Sequence, residues 1–165
     1  STIVKIDGDT LTLLRPGAVT YDALCCVCSD VTVSDNVMNK LKENERPICP
    51  GSKYRHYAPD KPLTLVGGDD AARIAFFAKM QKEGAVIICY DEQAEHLPAD
   101  RVITIGKKDD LEEQGHRLFA ALRECNSLEG KCVYANLPST DGFGLALYNR
   151  LIRAAAHTVV YPDEL

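Results

Sequence analysis

The sequence predicts an α/β fold in which a small, mainly parallel sheet carries helices on both faces, a three-layer, Rossmann-like arrangement. Strand-like and helix-like segments alternate over residues 63–165, the pattern of parallel strands joined by crossover helices. One strand, residues 85–90, is an almost continuous apolar run, which is typical of a strand buried on both faces. The spacing predicts these strands and helices: strands 63–66, 85–90, 101–105 and 131–137, and helices 70–83, 109–126 and 144–156.

A truncated α/β remnant and a linker are predicted before this domain. Residues 2–6 and 10–14 are β-rich and flank Asp7-Gly8-Asp9, which indicates a hairpin. Two strands alone are marginal in water, and the chain starts within a strand pattern without Met, so we expect the hairpin to be the end of a longer domain and to invite self-association. Thr20 is the expected N-cap of a short helix over residues 21–28.

The polar, irregular segment from residue 29 predicts a linker. The resulting domain boundaries are 1–28 for the remnant, 29–62 for the linker and 63–165 for the α/β domain.

Charge and apolar content exclude two classes of function. The net charge of -5 argues against a chain that wraps nucleic acid by itself, because such binding needs clustered Lys and Arg. No apolar run approaches the roughly 20 residues of a membrane span, so no membrane partner is expected. We therefore expect a cytoplasmic protein.

The seven cysteines do not have the spacing of a metal site. Cys25, Cys26 and Cys28 crowd one short segment with no matching pair downstream, so all seven are interpreted as reduced thiols and no metal ligands are assigned. Three of the four histidines, His96, His116 and His157, are scattered along the chain and predict no metal site either.

The α/β domain carries few chemical signals. Residues 67–70, Gly-Gly-Asp-Asp, follow a strand and precede a helix, where a phosphate could meet free N–H groups, although two aspartates would repel an anion. The alternative is a simple turn before an acidic helix start. Residues 141–144 are interpreted as the loop that starts the last helix.

The linker is the strongest chemical candidate. Between Pro50 and Pro59, five consecutive residues carry three cationic side chains and two tyrosines. The cationic groups can bind phosphate, and the tyrosine rings can stack on a base. On these grounds alone, a basic linker lying over its own acidic domain is an equal alternative. The residues are Lys53, Tyr54, Arg55, His56 and Tyr57.

Three segments in order resemble the Sua5/YrdC family of threonylcarbamoyl-AMP synthases. PGSKYRHYAP (50–59) is similar to the family's linker signature, although Ser52 stands where an apolar Met is expected. The end of the family's YrdC-like catalytic domain resembles the segment that runs from STIV (1–4) through the hairpin to LRPGAV (14–19). The end of its Sua5 domain resembles two segments here, LFAALREC (118–125) and GFGLALYNRLIRAA (142–155).

This resemblance implies a nucleotidyltransferase reaction that joins L-threonine, bicarbonate and ATP into threonylcarbamoyl-AMP, with Mg²⁺ accompanying ATP. Partner proteins would then transfer the threonylcarbamoyl group to tRNA, which this protein would meet only indirectly. By resemblance, Ser1 contacts threonine, Arg15 contacts ATP, and the five linker residues close over the nucleotide as a lid. Without the resemblance, Arg15 could be a solvated strand end and Ser1 a turn cap.

The main catalytic site would lie upstream, so the catalytic residues stay unknown and the chain alone is expected to be inactive. The alternative function is a non-catalytic module for regulation, oligomerisation or partner docking. A free-standing flavodoxin-like or receiver-like domain is a weaker alternative, because its phosphate-binding loop or acidic cluster is incomplete here.

Overall fold

The computed structural model describes residues 1–40 and 57–164, which separate into two compact units. Of the described residues, 1–40 and 138–150 belong to the first unit, and 57–137 and 151–164 belong to the second. Within the described ranges, no helix is both long and apolar enough to cross a membrane.

The first unit is built on a hairpin that gains a third strand. Strands β1 (Ile3–Asp7) and β2 (Thr10–Arg15) pair antiparallel, and Gly8 supplies the positive φ of 60° that the turn requires. Strand β3 (Asp30–Val33) pairs parallel with β2, so the order is β1-β2-β3. The expectation of a hairpin without a sheet partner is therefore wrong, because the segment predicted to be irregular supplies one.

Two short helices complete the predicted remnant and the segment after it. Helix α1 (Tyr21–Cys25) begins after Thr20, whose side chain accepts a hydrogen bond from the Ala23 N–H, as predicted for an N-cap. Helix α2 (Asp35–Met38) lies where an irregular linker was expected. It was missed because four residues are too few to show a helical period.

The core of the first unit joins residues far apart in sequence. Leu13 and Val37 are almost fully buried and pack with Leu11, Leu24 and Leu145. The contribution of Leu145 explains why residues 138–150 group with the N-terminal segment rather than with the predicted domain 63–165. The boundaries drawn from the sequence at residues 28 and 62 stay a prediction.

The second unit contains a five-stranded sheet, all of whose described pairs are parallel, which confirms the predicted fold class. Its order is β6-β5-β7-β4-β8. Strand β8 was not predicted, since two residues carry no recognisable alternation. The strands are β4 (Leu63–Val66), β5 (Val86–Cys89), β6 (Val102–Thr104), β7 (Val133–Asn136) and β8 (Val159–Val160).

Capped helices connect these strands. Helix α3 (Asp70–Lys82) follows β4, and Asp69 caps it by accepting the Ala72 N–H at 2.9 Å. Asp110 caps helix α5 (Leu111–Glu124) in the same way, by accepting the Glu113 N–H at 3.0 Å. The remaining helices are α4 (Asp91–Ala94), α6 (Gly144–Ala154), which begins in the first unit, and a 3-10 turn (Pro162–Glu164).

Strand β5 is buried at all four positions, as its apolar run predicted. On one side of the sheet, Ile87 and Cys89 pack with Phe77 and Met80 of α3 and with Val66 of β4. One face of the sheet is therefore covered by a dense apolar layer.

Replacing Phe77 by Ala should test this layer. Phe77 has no exposed surface, so we expect the substitution to lower the free energy of unfolding by about 3–5 kcal/mol. Urea denaturation followed by circular dichroism measures the change, with the exposed Lys79→Ala on the same helix as the control. Equal small effects of both variants would contradict this packing.

Candidate functional site

Ser1 and Arg15, predicted to contact threonine and ATP, lie side by side in the first unit. The Arg15 Nε–H donates to the Ser1 carbonyl oxygen at 3.0 Å, across the end of the hairpin. The turn after β2 also approaches the chain start closely, because a Cβ on Gly17 would lie 2.5 Å from the Thr2 nitrogen. Only glycine fits there, and the LRPG turn therefore holds Ser1 against Arg15.

A second arginine of this unit, Arg150, was not among the residues predicted from the sequence. Arg150 belongs to the part of α6 in the first unit and donates to the Ala146 carbonyl at 3.0 Å. No spacing in the sequence could have linked residue 150 to residues 1 and 15, because only the tertiary packing brings them into the same unit.

Of the five linker residues, Lys53, Tyr54, Arg55 and His56 lie outside the described residues. Tyr57 is described, and its ring packs on Phe119 of α5 with a centroid distance of 4.3 Å. Its backbone has a φ of 64°, which is uncommon for a bulky residue. The structure thus places the last residue of the motif on the second unit and does not describe the other four.

An open cleft of about 340 Å³ lies in the first unit. Two carboxylates, Asp22 and Asp141, favour cationic or hydrogen-bond-donating ligands there rather than a triphosphate. The Gly144 N–H donates to the Asp141 carbonyl at 2.8 Å, which confirms that this segment is the loop before the last helix. The lining residues are Tyr21, Asp22, Val33, Met38, Thr140, Asp141, Gly142 and Leu145.

The Gly67-Gly68 turn is closed by the chain itself. A Cβ on Gly67 would lie 2.3 Å from the Tyr161 ring, and one on Gly68 would lie 2.5 Å from an Asp163 carboxylate oxygen. The same oxygen accepts the Asp69 N–H at 3.1 Å. An internal carboxylate therefore takes the position that a phosphate would need, which supports the simple-turn interpretation.

A buried polar cluster in the second unit was not anticipated from the sequence. Gln93 and Asn136 form a reciprocal amide pair with N···O distances of 2.6 and 3.2 Å. Gln93 also donates to Asp70 at 2.8 Å, and the Tyr90 N–H donates to Gln93 at 3.2 Å. Asp70 follows β4, Gln93 follows β5 and Asn136 ends β7, and no local motif contains these three because they are separated by 23 and 43 residues in sequence.

Asp70 is the charged centre of this cluster. Its carboxylate accepts from Lys108 at 3.1 Å and from Arg73 at 3.3 Å. Partial burial by itself would raise the pKa of Asp70, but hydrogen bonds from Lys108 and Gln93 and the charges of Lys108 and Arg73 hold that pKa below its usual range. Asp70 is therefore ionised at neutral pH.

The two buried cysteines of the second unit, Cys89 and Cys125, are not nucleophiles. Burial raises the pKa of Cys89 and of Cys125 to about 12, so both thiols stay protonated and unreactive. The six cysteines of the described ranges are free, and no three His, Cys, Asp or Glu side chains there are placed to hold a metal ion.

The family model and the curated relatives that match this chain all carry the same name. The family model described as threonylcarbamoyl-AMP synthase, C-terminal domain, matches residues 19–156. A relative named threonylcarbamoyl-AMP synthase from Bacillus subtilis is 32% identical over 97% of this chain and 46% of its own length. One of the same name from Pyrococcus abyssi is 29% identical over 97% of this chain and 46% of its own length.

Solved structures agree with this result. The crystal structure of P. abyssi Sua5 complexed with L-threonine superposes with a TM-score of 0.80 at 28% identity, covering 98% of this chain and 47% of that one. A P. abyssi Sua5 variant with a histidine and the adjacent tyrosine replaced by alanine gives 0.76 at 25% identity, with coverages of 98% and 46%.

The chain spans about half the length of the curated relatives that it matches. Because the family model covers most of the chain, this protein belongs to the family of threonylcarbamoyl-AMP synthase C-terminal domains.

Proposed function

We propose that this chain is the C-terminal part of an enzyme that makes threonylcarbamoyl-AMP from L-threonine, bicarbonate and ATP. The observation that carries the proposal is the match of 98% of the chain to the Sua5 structure complexed with L-threonine. The product would supply the threonylcarbamoyl group of a modified tRNA adenosine through separate transfer proteins in the cytoplasm. The catalytic residues belong to the half of the relatives that this chain does not cover.

In this reaction an oxygen of the threonine carbamate attacks the α-phosphorus of ATP, and pyrophosphate leaves as the new P–O bond forms. Charge accumulates on the phosphate oxygens, so fixed cationic donors accelerate the step. Arg15 is such a donor for ATP, and Ser1 contacts threonine. Their contact at 3.0 Å supports these roles, because it would hold the two substrates next to each other.

The linker residues Lys53, Tyr54, Arg55, His56 and Tyr57 cover the nucleotide in this proposal. The chain contains one adjacent His–Tyr pair, His56-Tyr57, and an adjacent pair of the same kind is the one replaced in the P. abyssi Sua5 variant. Mg²⁺ would accompany ATP and would offset part of the charge of its triphosphate.

A second candidate is a regulatory or partner-docking role for the second unit, with self-association as one form of it. The cluster around Asp70 favours it, because the second unit contains a partly buried, charged network and its two buried thiols are unreactive. The two functions are compatible, since one polypeptide can carry both.

Replacing Arg55 or Tyr57 by Ala in the longer protein should impair the use of ATP more than the use of threonine. Loss of one hydrogen bond to a charged phosphate predicts a roughly 10- to 100-fold rise in the KM for ATP. Steady-state kinetics with each substrate varied in turn measures it, with Lys131→Ala, an exposed residue of the second unit, as the control. Unchanged ATP dependence in both linker variants would remove the linker from the site.

The 165-residue chain alone should not make threonylcarbamoyl-AMP. Turnover requires three substrates in line and a triphosphate neutralised by several preorganised cations, and this chain carries only part of such a set. Pyrophosphate release from ATP with threonine and bicarbonate, compared with the longer protein, measures this. Threonine-dependent release above a trace of the rate of the longer protein would place the catalytic site within this chain.

A further inference from the structure

The Thr2 side chain connects the segment before β1 to the turn that follows β2. Its hydroxyl donates to the Val19 carbonyl oxygen at 2.9 Å and accepts the Val19 N–H at 3.1 Å. One side chain thus engages both backbone groups of a residue 17 positions away. Neither residue belongs to a strand, since β1 begins at Ile3 and β2 ends at Arg15. The contact is therefore made by the hydroxyl and not by the strand ladder.

The same turn contacts the peptide group between Ser1 and Thr2 at two further points. The Arg15 Nε–H donates to the carbonyl oxygen of this group at 3.0 Å. A Cβ on Gly17 would lie 2.7 Å from its carbonyl carbon and 2.5 Å from its nitrogen. Because a peptide group is planar and rigid, anchoring Thr2 also fixes the direction of the oxygen that Arg15 meets.

The strand pairing next to this peptide group is irregular. The register between β1 and β2 shifts between Ile3 and Val4. An irregularity of this kind bends the strand and changes the direction of nearby side chains, and it is common beside active sites. The regular part of the ladder therefore ends before Ser1, and the position of Ser1 depends on the contacts of Thr2.

Exposure separates this positioning effect from an effect on stability. Val19 is 50% exposed, so water can take the place of the Thr2 hydroxyl on its N–H and carbonyl groups. Water satisfies these groups without tying the two segments together. Removing the hydroxyl should therefore cost little stability and should still loosen the contact between Ser1 and Arg15.

We propose that Thr2 is a positioning residue for the synthesis of threonylcarbamoyl-AMP. This role rests on the proposed function, in which Ser1 contacts threonine and Arg15 contacts ATP. Thr2 acts through these two residues, because its hydroxyl is engaged with the backbone of Val19. A misplacement of about 1 Å can slow a reaction roughly 100-fold, so the effect of Thr2 should appear in kcat rather than in KM.

Steady-state kinetics of the longer protein tests this role. Thr2→Val replaces the hydroxyl by a methyl group, and we expect kcat to fall about tenfold while the KM values for threonine and ATP change less than about twofold. Thr2→Ser keeps the hydroxyl and should restore kcat to within about threefold of the unaltered enzyme.

Thr12→Val is the matched control. It makes the same chemical change in the same unit, where the Thr12 hydroxyl bonds to that of Thr32 at 3.1 Å, between β2 and β3. This bond does not involve Ser1 or Arg15, so the control should leave kcat unchanged.

A second measurement on the 165-residue chain is independent of activity. The exchange of the Arg15 Nε–H with water is followed by NMR, with the signal assigned by Arg15→Lys. Because this N–H donates to the Ser1 carbonyl oxygen, we expect Thr2→Val to speed its exchange. Thr2→Ser and Thr12→Val should exchange at nearly the rate of the unaltered chain.

The two measurements distinguish the role of Thr2 from the proposed function. A longer protein without synthase activity would refute the proposed function, and the exchange rate alone would then decide whether Thr2 holds the contact. The role of Thr2 is overturned if Thr2→Val leaves the exchange rate unchanged, or leaves kcat unchanged in an active enzyme. It is also overturned if Thr12→Val has the same effect as Thr2→Val, or if Thr2→Ser does not restore the unaltered behaviour.

Discussion

The parallel sheet of the second unit imposes the constraint on which the rest of that unit depends. Parallel strands need crossover connections, and those connections cover both faces of the sheet. Strand β5 is buried at every position as a result. All carboxyl ends then meet at one edge, and polar side chains from β4, β5, β6 and β7 regions converge there even though they are distant in sequence.

This convergence explains the buried amide pair. Gln93 and Asn136 satisfy each other, and each would be costly to bury alone. Gln93 also orients Asp70, which in turn holds Lys108 and Arg73. The cluster is therefore connected through one carboxylate, and its charge balance depends on Asp70 remaining ionised.

The first unit is stabilised differently from the second, because its sheet has only three short strands and its core is assembled from segments that are distant in sequence. Leu13 of the hairpin, Val37 of α2 and Leu145 of α6 pack together, and the Asn149 amide donates to the Val37 carbonyl at 2.7 Å. The N-terminal part of a helix that was predicted to belong to the domain 63–165 thus stabilises the first unit. This packing places Arg150 in the same unit as the Ser1–Arg15 contact.

The sequence by itself determined the fold class, the hairpin and most element positions, since these depend on local periodicity, turn residues and caps such as Thr20. Its motifs also carried the resemblance that the family match confirms. Short elements such as β3, α2 and β8 were missed, because their formation depends on pairing partners rather than on local pattern. Only the tertiary structure decided that Lys108 reaches Asp70, because a contact between residues 38 positions apart follows from strand order, which local sequence does not encode.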